Sequence, residues 1–406
     1  MHAVVALPLI AAAYSATFGA RTELRLREPG DVTASGEVVE QSLDSDNAGE
    51  ARLLANFKAF ELGLGYLPRL TFRNLADEPE RDLLHGGELA ATFRFRRLTL
   101  SLREVASYGE RSFSPLVVTG AGAAPGAATP ETSAVAPSQV ALDGSVSYVS
   151  SDTTLSVAAV LTRRSTLSFS SSYFVGGGID ESDRALFPFT TGVRGTVAFE
   201  RRATRIDTLV SSVDALAQRA EGPGTTVRTR TVAASEGWRR SWSRSTDTDV
   251  RAGAGLTSSS EAEENPTFFP SASAALIHRI VTGPRHGRLE LTASASVDNV
   301  VDQLSGRADT RAQVAARALW TLEPLSFYAE GSRAESIGDS DAGLSLTSAA
   351  AGMRAQLSRH FATEFGLRLV DQDLGDQALA QDLAVTGFAW AIFAALEYRG
   401  DPIPLD

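Results

Sequence analysis

The chain has 406 residues, a formal net charge of -11 and no cysteine. Disulfides, thiolate catalysis and Cys-ligated metal are excluded, and the acidic balance argues against nucleic acid as a partner. Mean hydropathy is -0.05, and no stretch reaches the roughly 20 continuous apolar residues that a spanning helix needs. A membrane barrel escapes that test, because only every second residue of its strands faces lipid.

The chain opens on Met1-His2 and an apolar run over residues 3–13, in which Ala11-Ala12-Ala13 suits cleavage. Residues 1–13 therefore read as the remnant of an export signal. Period 2, the signature of a strand, takes over from there. Phe18, Ala20, Thr22, Leu24 and Leu26 alternate with Arg21, Glu23, Arg25 and Arg27. Leu62, Leu64, Tyr66, Leu70 and Phe72 alternate with Gly63, Gly65, Arg69, Thr71 and Arg73. Leu89, Ala91, Phe93 and Phe95 alternate with Thr92, Arg94 and Arg96, and Leu289, Leu291 and Ala293 with Arg288, Glu290 and Thr292. Phe365, Leu367 and Leu369 alternate with Glu364, Gly366 and Arg368. In the last segment Phe388, Trp390, Ile392, Ala394, Leu396 and Tyr398 share one apolar face, opposite Gly387, Phe393, Glu397 and Arg399. Aromatics near both ends of that face match the interfacial girdles of a membrane barrel.

The connections sort into two kinds that alternate along the chain. Tight ones lie at 59–61, 96–97, 163–165, 201–203, 322–324 and 358–360, and long acidic ones at 28–50, 74–87, 176–187, 258–266, 336–342 and 371–382. A soluble β-sandwich also alternates, but it tends to use short turns at both ends; a membrane barrel has short periplasmic turns and longer outer loops. Eighteen strands can be counted, starting near Ser15, Ala51, Glu61, Glu88, Leu98, Gln139, Thr166, Thr191, Thr204, Thr225, Asp247, Thr267, Arg288, Arg307, Leu325, Leu346, Ala362 and Val385. Residues 140–163 read as one long strand or as a small hairpin around Ser151-Asp152, so sixteen is the alternative count. The barrel covers residues 14–399, and 400–406 form a short tail.

This pattern resembles bacterial outer-membrane β-barrels of the porin-like kind, including the separate barrels that some bacteria use to export exopolysaccharide. The resemblance covers nearly the whole chain. It implies an all-β, transmembrane, antiparallel up-and-down barrel in the outer membrane, surrounded by lipid and lipopolysaccharide. It also implies a channel, for anionic solutes or for polysaccharide delivered by a periplasmic polysaccharide-export protein. Such barrels typically end on an aromatic residue; here Phe393 and Tyr398 sit in the last strand and residues 399–406 follow.

The expected lumen carries Arg21, Glu23, Arg25, Glu61, Arg69, Arg73, Arg94, Arg96, Arg103, Arg194, Glu200, Arg228, Arg230, Arg251, Arg288, Glu290, Arg354, Glu364, Arg368 and Glu397. The excess of arginine there favours anionic cargo, unless the pairs across neighbouring strands consume it. Phe18, Tyr66, Phe72, Phe93, Phe95, Phe388, Trp390 and Tyr398 are expected to face lipid. The acids Asp44, Asp46, Asp77, Glu78, Glu80, Asp180, Glu181, Asp183, Glu261, Glu263, Glu264, Asp339, Asp341, Asp371 and Asp373 are assigned to solvated outer loops. The Ala-, Gly- and Pro-rich stretch 107–138 is expected to be a long loop able to fold inward as a constriction.

Signals of catalysis or of a bound cofactor are missing. His2, His85, His278, His286 and His360 have no metal-ligand spacing. Gly176-Gly177-Gly178 opens no helix, and no serine sits in a Gly-x-Ser-x-Gly elbow. The chain is read as a non-enzymatic channel without cofactor or metal. The alternative is a closed scaffolding barrel that anchors a surface or periplasmic partner.

Overall fold

The computed structural model describes residues 13–28, 31–32, 41–75, 79–113, 144–222, 224–260, 266–282, 287–301, 308–337, 345–373 and 385–405. The elements in chain order are β1 (Ala13–Glu28), β2 (Asp31–Val32), β3 (Ser42–Asn56), β4 (Phe60–Tyr66), β5 (Arg69–Arg73), β6 (Glu80–Arg94) and β7 (Leu98–Phe113). Next come β8 (Gly144–Thr162), β9 (Ser165–Gly178), helix α1 (Glu181–Leu186), β10 (Phe189–Arg202), β11 (Asp207–Gly222) and β12 (Thr225–Ser241). The chain continues with β13 (Thr246–Ser259), β14 (Thr267–Thr282), β15 (Gly287–Val301), β16 (Ala308–Leu322) and β17 (Leu325–Ser336). It finishes with β18 (Ser345–Gln356), β19 (Phe361–Asp373), β20 (Val385–Arg399) and β21 (Ile403–Leu405).

β4 and β5 are halves of one wall strand. Both pair with β3 and with β6 in a single register, from Ala51↔Tyr66 to Ala48↔Arg69 on one side and from Tyr66↔Gly87 to Arg69↔Leu84 on the other. Pro68 has no N–H to donate to the ladder and divides them, although its carbonyl still accepts from Gly49 at 2.8 Å. With that pair counted once, and β2 and β21 left aside as short additions, the wall is a closed antiparallel barrel of eighteen strands. Closure is made by β1 against β20, from Gly19↔Arg399 to Glu28↔Trp390, which leaves the wall no unpaired edge. Within the segment 140–163, Gly144–Thr162 form a single strand, β8, and no hairpin breaks it at Ser151-Asp152; at 19 residues it is the longest described strand of the wall. The expected tail is more than a tail: β21 continues alongside β1, with Ala16↔Ile403 and Tyr14↔Leu405. The apolar run before residue 13 lies outside the described residues; of the loop expected at 107–138, residues 107–113 belong to β7 and the remainder lies outside the described residues.

Two segments expected as loops belong to the wall. β3 begins at Ser42 and β6 at Glu80, not near Ala51 and Glu88. Their acidic composition suggested solvent, but Asp44, Asp46, Glu80 and Asp82 point inward to arginines. Asp371 and Asp373 likewise close β19, and α1 occupies part of the expected loop 176–187. Phe187, just after α1, is buried and meets Tyr148 edge-on at 5.5 Å.

The outward face is apolar and exposed, as lipid contact requires. Phe18, Tyr66, Phe93, Phe388 and Tyr398 lie on it with relative exposures of 38–56%. Phe72 and Trp390 share its register, and the Trp390 indole donates to Glu28 at 3.0 Å at the outer rim. Phe95 belongs instead to the turn between β6 and β7. Carboxylates away from the strand ends also stand on this outward face. Glu104, near the middle of β7, accepts from Ser151 at 2.6 Å and from Thr153, and Glu236 accepts from Ser211 at 2.8 Å.

Candidate functional site: the lumen

Inward and outward follow from which side chains can reach across a strand. Arg368 on β19 grips Glu23 on β1 although β20 lies between them. Only the concave side permits that reach, and the small inward residues Ala391 and Ala395 of β20 leave room for it. The register carries this assignment around the whole wall, since directly paired residues share a face.

At the seam the inward charges form a connected network. Glu23 accepts from Arg368 at 2.7 Å, from Arg25 at 2.8 Å and from Arg21 at 2.9 Å. Arg21 also meets Glu364 at 3.2 Å, and the Tyr328 hydroxyl donates to the same carboxylate at 2.9 Å. The side chains of Glu23, Arg25 and Arg368 are only 6–7% exposed. The Arg368 guanidinium lies 3.9 Å from the centre of the Phe393 ring, a cation–π contact that covers the ion from the other side. Next to it Arg27 meets Asp44 at 2.5 Å and Arg354 meets Glu397 at 2.8 Å. In the outer half of the same sector Leu346, Val370, Ala389 and Ala391 form a buried inward cluster.

Around the rest of the wall, inward arginines are also matched by inward acids. Arg69 pairs with Asp46, Arg73 with Asp82, Arg94 with Glu61 and Arg103 with Glu88. Arg251 and Arg239 share Asp249, Arg279 bridges Asp247 and Glu290, and Arg288 adds to Glu290. Arg194 and Glu200 face inward on β10, and Glu200 lies 3.9 Å from Arg239. Several of these partners were assigned to loops or not singled out by the alternation, among them Asp44, Asp46, Asp247 and Asp249. Their signal is present as acids sharing the period-2 face of a neighbouring arginine.

Three expected lumen residues are placed elsewhere. Arg96 sits in the turn between β6 and β7. Arg228 and Arg230 are exposed on the outward face near the outer end of β12, where Val227 and Thr229 are the buried inward residues. In Thr-Val-Arg-Thr-Arg-Thr every candidate face is polar, so alternation offers little contrast, and a shift of one residue turns each side chain to the opposite face. Among the described residues no three His, Asp or Glu gather as a metal site. His85, His278 and His360 are scattered, bonded to Tyr66, Thr246 and the Arg399 carbonyl.

Comparisons with known proteins bear on this geometry. OccAB3 of Acinetobacter baumannii has a similar fold, with a TM-score of 0.50 and 8% identity over 95% of this chain and 99% of that one. OpdQ of Pseudomonas aeruginosa aligns with a TM-score of 0.47 and 8% identity over 97% and 98% of the two chains. No curated protein matches the chain in sequence. The closed barrel and its outward apolar face place the chain in the bacterial outer membrane. The model of the EpsX exopolysaccharide export family matches residues 7–371, and the chain belongs to that family.

Proposed function

We propose that the barrel is the outer-membrane passage for an exopolysaccharide, moving from the short-turn, periplasmic end to the long-loop end. The observation that carries this reading is a closed wall of eighteen strands with a polar, half-exposed lumen on one side, in a member of an export family. Barrels of 16–18 strands leave an aqueous channel unless plugged. In this reading a periplasmic polysaccharide-export protein docks on the short turns and delivers the chain, and the barrel performs no chemistry. The lumenal ion pairs weigh against the expected preference for anions, because each paired arginine has its charge met within the wall.

The test joins two measurements. The refolded protein in a planar bilayer is expected to give a large, steady conductance with weak ion selectivity. Deletion of the gene is expected to abolish surface polysaccharide while leaving its periplasmic precursor. A folded barrel that passes no current, alone or with the periplasmic protein, would sink the reading in favour of a closed scaffold.

A further inference from the structure

The wall from β7 to β12 differs from the seam in what it offers the lumen. One inward row follows the register Ser101↔Ser156↔Ser170↔Thr196 across four strands. The row beside it brings Thr154 against Ser172, and the next brings Thr166 and Ser168 inward on β9. Inward hydroxyls bond across strands: Ser107 with Ser150 at 2.6 Å, Ser156 with Ser170 at 3.3 Å, Ser212 with Ser235 at 2.8 Å and Thr231 with Thr257 at 3.1 Å. Such a pair uses one O–H internally. The second O–H and several lone pairs remain for whatever fills the lumen. These side chains are half-exposed, whereas Glu23, Arg25, Arg27, Glu364 and Arg368 at the seam are buried.

The inward aromatics lie down on their own wall. A Cβ at Gly192 would come 2.4 Å from Phe174, one at Gly255 2.3 Å from Phe269, and one at Gly366 2.7 Å from Phe393, so each ring is seated over a glycine. Tyr328 lies over Gly352 in the same way, and Tyr148 is covered by Arg111 at 4.6 Å. Phe269, Phe393 and Tyr148 are buried and offer a sugar no open face, while Phe174 and Tyr328 are half-buried.

We infer that the lumen takes an uncharged polyhydroxylated chain, a neutral glycan, along the β7–β12 wall. The inference rests on the export reading and names its cargo class. A sugar hydroxyl exchanges with water and with a wall hydroxyl at little net difference. Many such weak contacts let a polymer enter and leave without being held. On this wall Arg103 and Arg239 are paired with acids, and inward Asp214 and Glu200 offset Arg194, so little surplus charge is left to recruit a polyanion.

The test uses the full-length protein in a planar bilayer, with dextran oligosaccharides or oligogalacturonate of equal length on the periplasmic side. Dextran is expected to interrupt the current at about tenfold lower concentration than oligogalacturonate. The triple variant Ser156→Val, Ser170→Val, Thr196→Val is expected to keep the open current and lose most of the dextran block. Its folding is verified by its heat-modifiable migration. Oligogalacturonate blocking as well as dextran, or a triple variant blocked like the wild type, would overturn this inference alone. A folded wild type without current would overturn the export reading and this inference together.

Discussion

At the seam, three guanidinium groups converge on the buried Glu23 carboxylate within 2.7–2.9 Å. From β7 to β12, neighbouring inward positions meet through hydroxyls 2.6–3.3 Å apart that remain open to the lumen. The contrast follows from how each pair of strands finds its register. β8 to β9, β9 to β10 and their neighbours are joined in sequence, so their connections bring the strands together and limit slippage. β1 and β20 come from opposite ends of the chain; Glu23 and Arg368 are 345 residues apart. No turn aligns them, and a slip by one residue would turn every inward charge toward lipid. Charge pairs occur around the wall, but the buried network centred on one carboxylate lies where sequence proximity does not help. The opposite wall, with few charges among its inward hydroxyls, is left to serve the cargo.

The contrast is broken most severely by Glu23→Ala. Buried Arg25 and Arg368 and part-buried Arg21 then lose a shared partner, and removing one side of a buried ion pair costs about 3–5 kcal/mol. Urea unfolding in lipid vesicles, followed by tryptophan fluorescence, should show a loss of that size. The matched change on the open wall is Glu200→Ala, where the partner Arg239 is 3.9 Å away and 44% exposed. An exposed pair of this kind is worth about 0–1 kcal/mol, so its unfolding midpoint should barely move. Equal losses in the two variants would contradict the division of labour argued here.

Gly366→Val comes next in size. A Cβ there would lie 2.7 Å from the Phe393 ring, which carries Arg368. Overpacking of this kind costs about 1–3 kcal/mol. Gly195→Val is the control, since the nearest atom to its Cβ is a carbonyl oxygen at 4.0 Å. The same unfolding assay should separate the two, and comparable stability would mean that the ring-on-glycine seat contributes little.

Much of the wall was legible from the alternation, because β1, β4 with β5, and β20 set aromatic and aliphatic residues against charged or small ones. The strand number followed from tight and long connections taking turns. Legibility failed where charge was used as a sign of solvent. Residues 42–50 and 80–87 are acidic and were read as loops, yet Asp44 and Asp82 are inward and buried. It failed again at Arg228 and Arg230, where threonines alternate with arginines and neither face is apolar. The seam network could not be read locally at all. It depends on which strands meet when the barrel closes, and on the small residues of β20 that let Arg368 cross to Glu23.

The outward face offers a smaller effect of opposite sign. Glu104 stands near the middle of β7 on the lipid side, bonded to Ser151 and Thr153. A carboxylate in the apolar band is unfavourable, though less so than Arg or Lys at the same depth. Glu104→Leu is expected to raise stability by about 1 kcal/mol in vesicles. A loss of stability would show that the carboxylate with its two hydroxyls holds β7 to β8 more tightly than lipid contact would.

The smallest change in stability should bring the clearest change in selectivity. Arg279 is held by Asp247 at 2.7 Å and Glu290 at 3.1 Å, with all three side chains about one-third exposed. The double variant Asp247→Asn, Glu290→Gln keeps the volumes and removes both negative charges, which leaves Arg279 and its neighbour Arg288 unbalanced in the lumen. Exposure limits the cost to about 1 kcal/mol. The reversal potential in a salt gradient should move toward that of chloride. The shift should shrink as ionic strength rises, because the Debye length falls from about 10 Å at 0.1 M to about 3 Å at 1 M. If the wild-type barrel were already strongly anion-selective and the double variant no more so, the inward arginines would not be neutralised by their partners. The neutral wall inferred from β7 to β12 would then lose its electrostatic basis.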